Sequence, residues 1–460
     1  MTQRYDAIVI GAGPGGYVAA LRLAAGKQHV ALVEAKYLGG TCLNVGCIPS
    51  KTILHTSEIF AAVRAGKNYG ISADNLRIDL AAVIKRKNDV VKKLTGGVDA
   101  LLKARKVDTY MGTGRLLDQN RVQVKLNNGD DATLEANNII IATGSEAMVP
   151  DIFPRQRDKV MTSTEVLNLQ QLPSSILIVG GGYIGCEFAT FFSELGVKVT
   201  MVEMLDRLLP MTDKEISKTL TKLFTTQGLE IHTGVAVEKM EVQNGEVRTT
   251  LAEGKVCTTS LALICTGRKP LSSDLGLEQA GVKTEKGFIK IDDHCRTNVP
   301  NIFAIGDVTG KVQLAHVASR QATVAAHTIL GRTDAEDYQV VPSAIYTHPE
   351  IASVGLTAEQ AEQKGIKVKT AAFPMRASGI ALAYDQPHGF AKIITDQDDI
   401  IIGAHLMCPH ASDLIQEIAA LMKAECTIHE LEATIHGHPT FSESLAEAAG
   451  ALLGRPLHSH

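Results

Sequence analysis

The chain has 460 residues, about three times an ordinary ~150-residue domain, so several domains or one heavily inserted domain are expected. Apolar residues make up 45% of it and charged residues 21%, with 40 Gly and 15 Pro, a globular composition that excludes a disordered or fibrous chain. A formal net charge of -4 gives no long-range attraction for phosphate backbones or anionic lipid, which disfavours nucleic acid and membrane surfaces as partners.

In chain order, residues 7–10 form an apolar run, followed by Gly11-Ala12-Gly13-Pro14-Gly15-Gly16, a helical pattern over residues 17–25, and a second run at residues 30–33 that ends in Glu34. This reads as strand, glycine turn, helix, strand and acid. The glycines allow a tight turn and let backbone N–H groups approach a pyrophosphate at a helix N-terminus, while the acid accepts hydrogen bonds from a ribose. Gly and Pro interrupt residues 7–25, so they read as neither signal peptide nor membrane span. No other apolar run reaches about 18 residues, and a soluble, cytoplasmic protein is expected.

Eight residues after Glu34 comes Cys42-Leu43-Asn44-Val45-Gly46-Cys47, then Ile48-Pro49-Ser50-Lys51. A zinc site there lacks further ligands nearby, which leaves buried thiols or a redox pair. Residues five apart on a regular helix are too distant for a disulfide, which closes only when the Cα atoms are within roughly 7 Å. Gly46 and Pro49 can distort a helix start enough to bring the two together, and a thiol at a helix N-terminus has its thiolate stabilised by unpaired N–H groups. With Cys186, Cys257, Cys265, Cys295, Cys408 and Cys426 the chain has eight cysteines, too dilute for a disulfide framework, and most are expected as buried thiols.

Residues 85–106, rich in Lys and Arg, read as a solvated amphipathic helix. Alternation at Val122, Val124 and Leu126 runs into the hairpin signal Asn128-Gly129, and a strand at 139–141 ends in Ala142-Thr143-Gly144. At residues 176–179 the program restarts with Gly180-Gly181-Gly182-Tyr183-Ile184-Gly185, a helix to about Leu195, and a strand at 198–202 ending in Glu203. The first Gly and the acid are 23 residues apart in both copies, and one GxGxxG alone would be weak evidence. Residues 235–242 then lead to Asn244-Gly245, and a strand at 261–264 ends in Cys265-Thr266-Gly267. Two dinucleotide-binding units are expected. The run 301–308 closes on Gly306-Asp307 without a glycine turn of its own, so it completes a unit begun earlier. From 341 onward, strand-like runs at 391–394 and 400–406 alternate with helical runs at 411–424 and 442–453, an α+β domain. Near the end, Thr440 and Glu443 have capping-box spacing, and His438 falls in a pre-helical turn.

The run from Gly39 to Lys51 resembles the redox-disulfide signature of the dihydrolipoamide dehydrogenases, within the flavin-dependent disulfide oxidoreductases. The resemblance spans essentially the whole chain, including Tyr346-Thr347-His348-Pro349-Glu350 and residues 436–443. It implies an α/β fold with two Rossmann-like domains for FAD and NAD and a C-terminal α+β dimerisation domain. The divisions are 1–147 (FAD, first part), 148–270 (NAD), 271–340 (completing the FAD domain) and 341–460 (interface).

By resemblance, FAD is held by Gly11, Gly13, Gly16, Glu34, Gly114, Thr143, Gly144, Ser145 and Asp307, and by backbone at Leu314, Ala315 and His316. NAD is held by Gly180, Gly182, Gly185, Glu203, Val235 and Gly267. Met204 stands where NADP-using relatives carry Arg, so NAD is preferred. Lys51 and Glu187, generic surface charges when taken alone, pair beside the flavin where hydride passes. Cys42 is the interchange thiol and Cys47 the thiolate next to the flavin. His438 takes a substrate proton, oriented by Glu443, a role that competes with helix capping for one carboxylate; His436 is the weaker candidate base. The resemblance further implies a homodimer with His438 and Glu443 supplied across the interface, serving lipoyl domains and the acyltransferase core of a 2-oxoacid dehydrogenase complex or a glycine cleavage lipoyl protein. Met204 and Leu43 disfavour a glutathione reductase, and the absence of Cys from residues 455–460 disfavours a mercuric reductase. An assembly-only subunit is the rival from another class.

Overall fold

The computed structural model describes residues 2–458. Its first sheet runs in the order Asp108–Leu116, Val30–Glu34, Gln3–Ile10, Asp131–Ile141 and Ile302–Ala304, with parallel pairing at each step. Strand Arg121–Leu126 joins the far halves of Asp108–Leu116 and Asp131–Ile141 in antiparallel register. Every residue of Val30–Glu34 is buried, as are Ala7 to Ile10, because one face of the sheet packs on helices through Ala19, Leu23, Leu102 and Ala325 and the other lies under Leu116, Val122, Val124, Leu275 and Leu277, which leaves no polar side. Helix Pro14–Ala25 packs against Ala315–Ile329 on one of those faces.

The second sheet has the same plan: Glu230–Thr233, Lys198–Glu203, Ser175–Val179, Leu261–Ile264 and Val160–Met161, all parallel. Its fifth strand, Val160–Met161, precedes the first strand in the chain, whereas the matching strand of the first sheet, Ile302–Ala304, arrives last. A separate meander of Val237–Gln243, Glu246–Leu251 and Val256–Thr259 follows. The run expected at 235–242 thus starts later, with a register irregularity between Val237 and Lys239. The two units are stitched together just past their glycine-ended strands, where Ser145–Ala147 pairs with Arg268–Pro270.

Residues from Ser343 build an antiparallel sheet ordered Ser343–Ile345, Ile351–Gly355, Ile401–Met407, Phe390–Thr395, Lys369–Pro374. Helix Ala411–Lys423 packs on its first half and Glu443–Leu452 on its last two strands. Ile393, Leu406, Ile415 and Leu445 are fully buried between them. Buried Lys392 ties this domain to the second unit through Asp213 at 3.0 Å and Glu215 at 2.7 Å.

The basic helix is Leu80–Ala104, capped by Asp79, and it is not solvated throughout. Lys87 is buried and donates to the Leu167 carbonyl at 2.9 Å and to Asn168 Oδ1 at 2.8 Å. The reason is packing: one face lies on Cys47–Arg64 and presents Val83, Val98 and Leu102 inward, carrying Lys87 with it.

Candidate active site

Both glycine loops are built alike. A Cβ on Gly11 would lie 2.3 Å from the Ala142 carbonyl, and on Gly16 1.8 Å from the Gly11 carbonyl; the counterparts are 2.3 Å for Gly180 on Cys265 and 2.0 Å for Gly185 on Gly180. The first and third glycines are therefore required by the protein's own backbone. The middle ones are not: a Cβ on Gly13 or Gly182 would meet nothing within 4 Å. Each middle glycine is the N-cap of its helix, Pro14–Ala25 or Tyr183–Glu194, without a side-chain cap, whereas Leu80–Ala104 and Lys214–Thr226 are capped by Asp79 and Asp213. Open space before uncapped helix N–H groups fits a pyrophosphate in both units. Buried Gln313 Nε2, next to Leu314, also lacks a protein partner, which suits an acceptor from a bound flavin.

The two acids hold their own loops. Glu34 Oε2 accepts from Ala12 N at 2.7 Å and Glu203 Oε2 from Gly181 N at 2.6 Å, while the other oxygens accept from Lys36 N at 2.8 Å and Leu205 N at 2.7 Å. Both carboxylates are buried at the strand ends, where lone pairs remain for a ribose. Gly114 packs against Ile10, Val33 and Val122, while Thr143 donates to the Leu271 carbonyl at 2.6 Å and Gly144 accepts from Leu271 N at 3.0 Å. Ser145 hydrogen-bonds Asp307, and Arg268 Nε donates to Ser145 Oγ at 2.7 Å. Leu314 is the uncapped N-cap of Ala315–Ile329; the ring of His316 is engaged with the Pro342 carbonyl at 2.8 Å, which leaves its backbone for a ligand. Val235 N donates to the Glu203 carbonyl at 3.1 Å, and Gly267 has φ +113 beside Met148.

The redox segment is anchored to the first glycine loop: Gly39 N donates to the Ala12 carbonyl at 2.9 Å, and a Cβ on Gly40 would come within 2.6 Å of Gly13 Cα. Cys42 lies in helix Gly40–Val45 and Cys47 opens helix Cys47–Arg64. Gly46 separates them with φ -140 and ψ -116, and a Cβ there would approach the Thr41 carbonyl to 2.9 Å. This break brings the two cysteines close together, both as free thiols. The Cys42 thiol is held far above its ordinary pKa, first by donating to Cys47 and then by burial. Cys47 is lowered to about 7, first by the hydrogen bond from Cys42, and further by Lys51 and its own backbone N–H, against the opposing effect of burial. One turn further, Lys51 Nζ contacts both oxygens of buried Glu187 at 2.9 and 2.8 Å, joining the redox helix to Tyr183–Glu194 of the second unit.

His438 Nδ1 pairs with Glu443 Oε1 at 2.9 Å, and Glu443 Oε2 accepts from Thr440 N at 2.8 Å. The two roles foreseen for this carboxylate do not compete, because each takes one oxygen. The full capping box does not form: Thr440 Oγ1 donates to the Gly437 carbonyl, and the helix begins at Glu443 itself. Burial opposes ionisation of Glu443, but the Thr440 N–H and His438 together keep its pKa below the ordinary value. His438 is 81% exposed, whereas the His436 ring is buried and bonded to Glu417 at 2.9 Å. Among the described residues, no hydrogen bond or ion pair joins His438 or Glu443 to Cys42 or Cys47 of the same chain.

Residues 5–322 match the family described as pyridine nucleotide-disulphide oxidoreductase, and residues 341–449 match its dimerisation domain. The chain belongs to the pyridine nucleotide-disulphide oxidoreductases. Among similar family members are the dihydrolipoyl dehydrogenases of Chlamydia pneumoniae, 43% identical over 100% of this chain and 99% of the relative, and of Geobacillus stearothermophilus, 42% identical over 98% and 97%. A crystal structure of LpdA from Mycobacterium tuberculosis superposes with a TM-score of 0.92 at 28% identity, covering 98% of this chain and 100% of that one. The HOCl-induced flavoprotein disulfide reductase RclA of Escherichia coli gives 0.87 at 30% identity, covering 97% and 99%.

Part of what surrounds the site in this oxidoreductase carries only a faint mark in the sequence. Arg268, directly after Gly267, ties Ser145 to the acid at 307, and its position next to the Thr-Gly pair was the available signal. Tyr346 N donates to Glu187 Oε1 at 3.0 Å, and the Tyr346 ring lies 4.5 Å from Lys51 Nζ. No helix among the described residues is long and apolar enough to cross a membrane.

Proposed function

We propose that this oxidoreductase oxidises dihydrolipoamide to lipoamide with NAD+ as final acceptor, as the dihydrolipoyl dehydrogenase component of a 2-oxoacid dehydrogenase complex or of the glycine cleavage system. FAD and NAD are its cofactors. The observation that carries the reading is the Cys42–Cys47 pair, brought close together by the Gly46 break at one end of a Lys51–Glu187 bridge between two nucleotide units.

The flavin unit comprises residues 1–147 and 271–340, and Gly11, Gly13, Gly16, Glu34, Gly114, 143–145, Asp307 and 314–316 hold FAD. The unit of residues 148–270 holds NAD through Gly180, Gly182, Gly185, Glu203, Val235 and Gly267. Residues 341–460 pair two chains into a homodimer. The exposed His438 with its fixed carboxylate suits a group that works in the opposite subunit's site.

Starting from the Cys42–Cys47 disulfide, the partner subunit's His438 accepts a proton from one dihydrolipoamide thiol. The thiolate attacks Cys42 Sγ, a mixed disulfide forms, and Cys47 leaves as thiolate. The second substrate thiol displaces Cys42 and closes the lipoamide ring, its proton passing to the departing Cys42 thiolate, so two electrons and two protons have left the substrate. When bound, FAD relays the electron pair of the dithiol to NAD+ as hydride. Lys51 and Glu187 stand where that transfer is positioned, and the chain works in the cytoplasm.

Anaerobic spectral titration tests this. Dihydrolipoamide should produce long-wavelength thiolate-to-flavin absorbance, and NAD+ should remove it. A colourless protein that cannot reduce lipoamide with NADH would instead be an assembly subunit.

A further inference from the structure

The helix bearing Cys47 and Lys51 and the helix bearing Glu187 are pinned at a second point. Ser57 Oγ donates to Glu194 Oε2 at 2.5 Å. Ser57 lies six residues after Lys51 and Glu194 seven after Glu187, so the two rungs are about 10 Å apart at 1.5 Å per residue. A single segment of the C-terminal domain touches both rungs. Tyr346 binds Glu187 and covers Lys51, while two residues on, His348 Nδ1 contacts Glu194 Oε1 and His348 Nε2 lies 3.9 Å from Glu58 Oε2.

We propose that His348 is a positioning residue that clasps the second rung and thereby fixes Lys51 beside Cys47 and against Glu187. The proposal rests on the reading of Cys47 as the thiolate that faces the flavin.

The charges around His348 explain why an imidazole is suited to the task. Glu194 comes from Tyr183–Glu194, Glu58 and His55 from Cys47–Arg64, and Glu350 from its own segment; His55 is itself paired with Glu58 at 2.9 Å. Burial works against an imidazolium there, but Glu194, Glu58 and Glu350 outweigh it, and the His348 pKa is raised. The clasp is therefore fully charged below the ordinary histidine pKa of about 6.5 and weakens as pH rises through the raised value. Above that pH, Glu194 retains Ser57, and the counter-charge that balances its carboxylate is gone.

The test uses the flavin-loaded enzyme and two readouts: the pH profile of NADH-dependent flavin reduction, and peptide-resolved alkylation of reduced Cys47 by iodoacetamide. In His348→Gln the alkaline decline of flavin reduction should disappear, with a low rate throughout. Cys47 alkylation at pH 7 should slow about twofold, the effect of raising a pKa near 7 by about 0.5. Glu58→Gln, on an exposed carboxylate, should shift the alkaline decline to lower pH. A wild-type Cys47 profile and an unchanged alkaline limb in His348→Gln overturn the proposal, even if Tm falls. If that variant does not fold, an unmoved limb in Glu58→Gln does so. Neither readout contains lipoamide, so failure of the substrate assignment would be seen separately.

Discussion

Glu443 divides its carboxylate between His438 and the Thr440 backbone, one oxygen to each. With Nδ1–H of His438 donating to Oε1, the Nε2 lone pair is free to receive a proton. In Glu443→Gln the oxygen can still accept from Thr440, but the amide NH2 then faces Nδ1 and places the proton on Nε2. Dihydrolipoamide oxidation should fall about 10²–10⁴-fold, as for loss of a general base, with NADH-dependent flavin reduction retained. His438→Gln should behave likewise; stopped-flow measurement of both half-reactions checks this, and equal loss in both would contradict the assigned role.

The two sulfurs should separate spectroscopically. Cys47→Ser should abolish the long-wavelength band of the reduced enzyme, and Cys42→Ser should keep it. Because the Cys47 thiol is lowered to about 7, the band should grow as pH rises through about 7 and fade below it as the thiolate is protonated. An absorbance titration reads this directly.

The glycine loops give a paired test. Gly16→Ala forces a Cβ onto the Gly11 carbonyl and should cost at least about 3 kcal/mol, the upper end of overpacking. Gly13→Ala meets no protein atom, so the apoprotein should keep its thermal midpoint while the flavin bound per chain falls. Calorimetry of the apoproteins with flavin assay of the holoproteins compares the two.

Glu203 ties its loop, and the residue directly beside it is the exposed, uncharged Met204. Glu203→Ala should raise KM for NAD about tenfold, the loss of a charge-assisted hydrogen bond, and combining it with Met204→Arg should narrow the preference for NAD over NADP. Steady-state kinetics with both nucleotides measures the ratio.

Much of this architecture was legible because it is local. The glycine spacing, the acid 23 residues on, and Gly46 between two cysteines are chemistry written in short windows. What escaped was set by distance in the chain. The strand Val160–Met161 has two residues, too few for any period, and Lys87 looks solvated until Leu167 and Asn168 arrive from 80 residues away. The Thr440–Glu443 spacing offers a capping box, of which only the carboxylate's half forms, through Oε2 to the Thr440 N–H. That the same group also serves His438 through its other oxygen is a matter of rotamer, which spacing does not carry.

The late return of Ile302–Ala304 to Asp131–Ile141 has a bearing on biosynthesis. Until the ribosome has released residues beyond 302, the edge of Asp131–Ile141 at Ile139 to Ile141 stays uncovered, and Asp307 does not yet exist. A nascent polypeptide can fold the second sheet whole while the first waits with an open flank, so prematurely terminated products would carry an apolar strand edge open to aggregation.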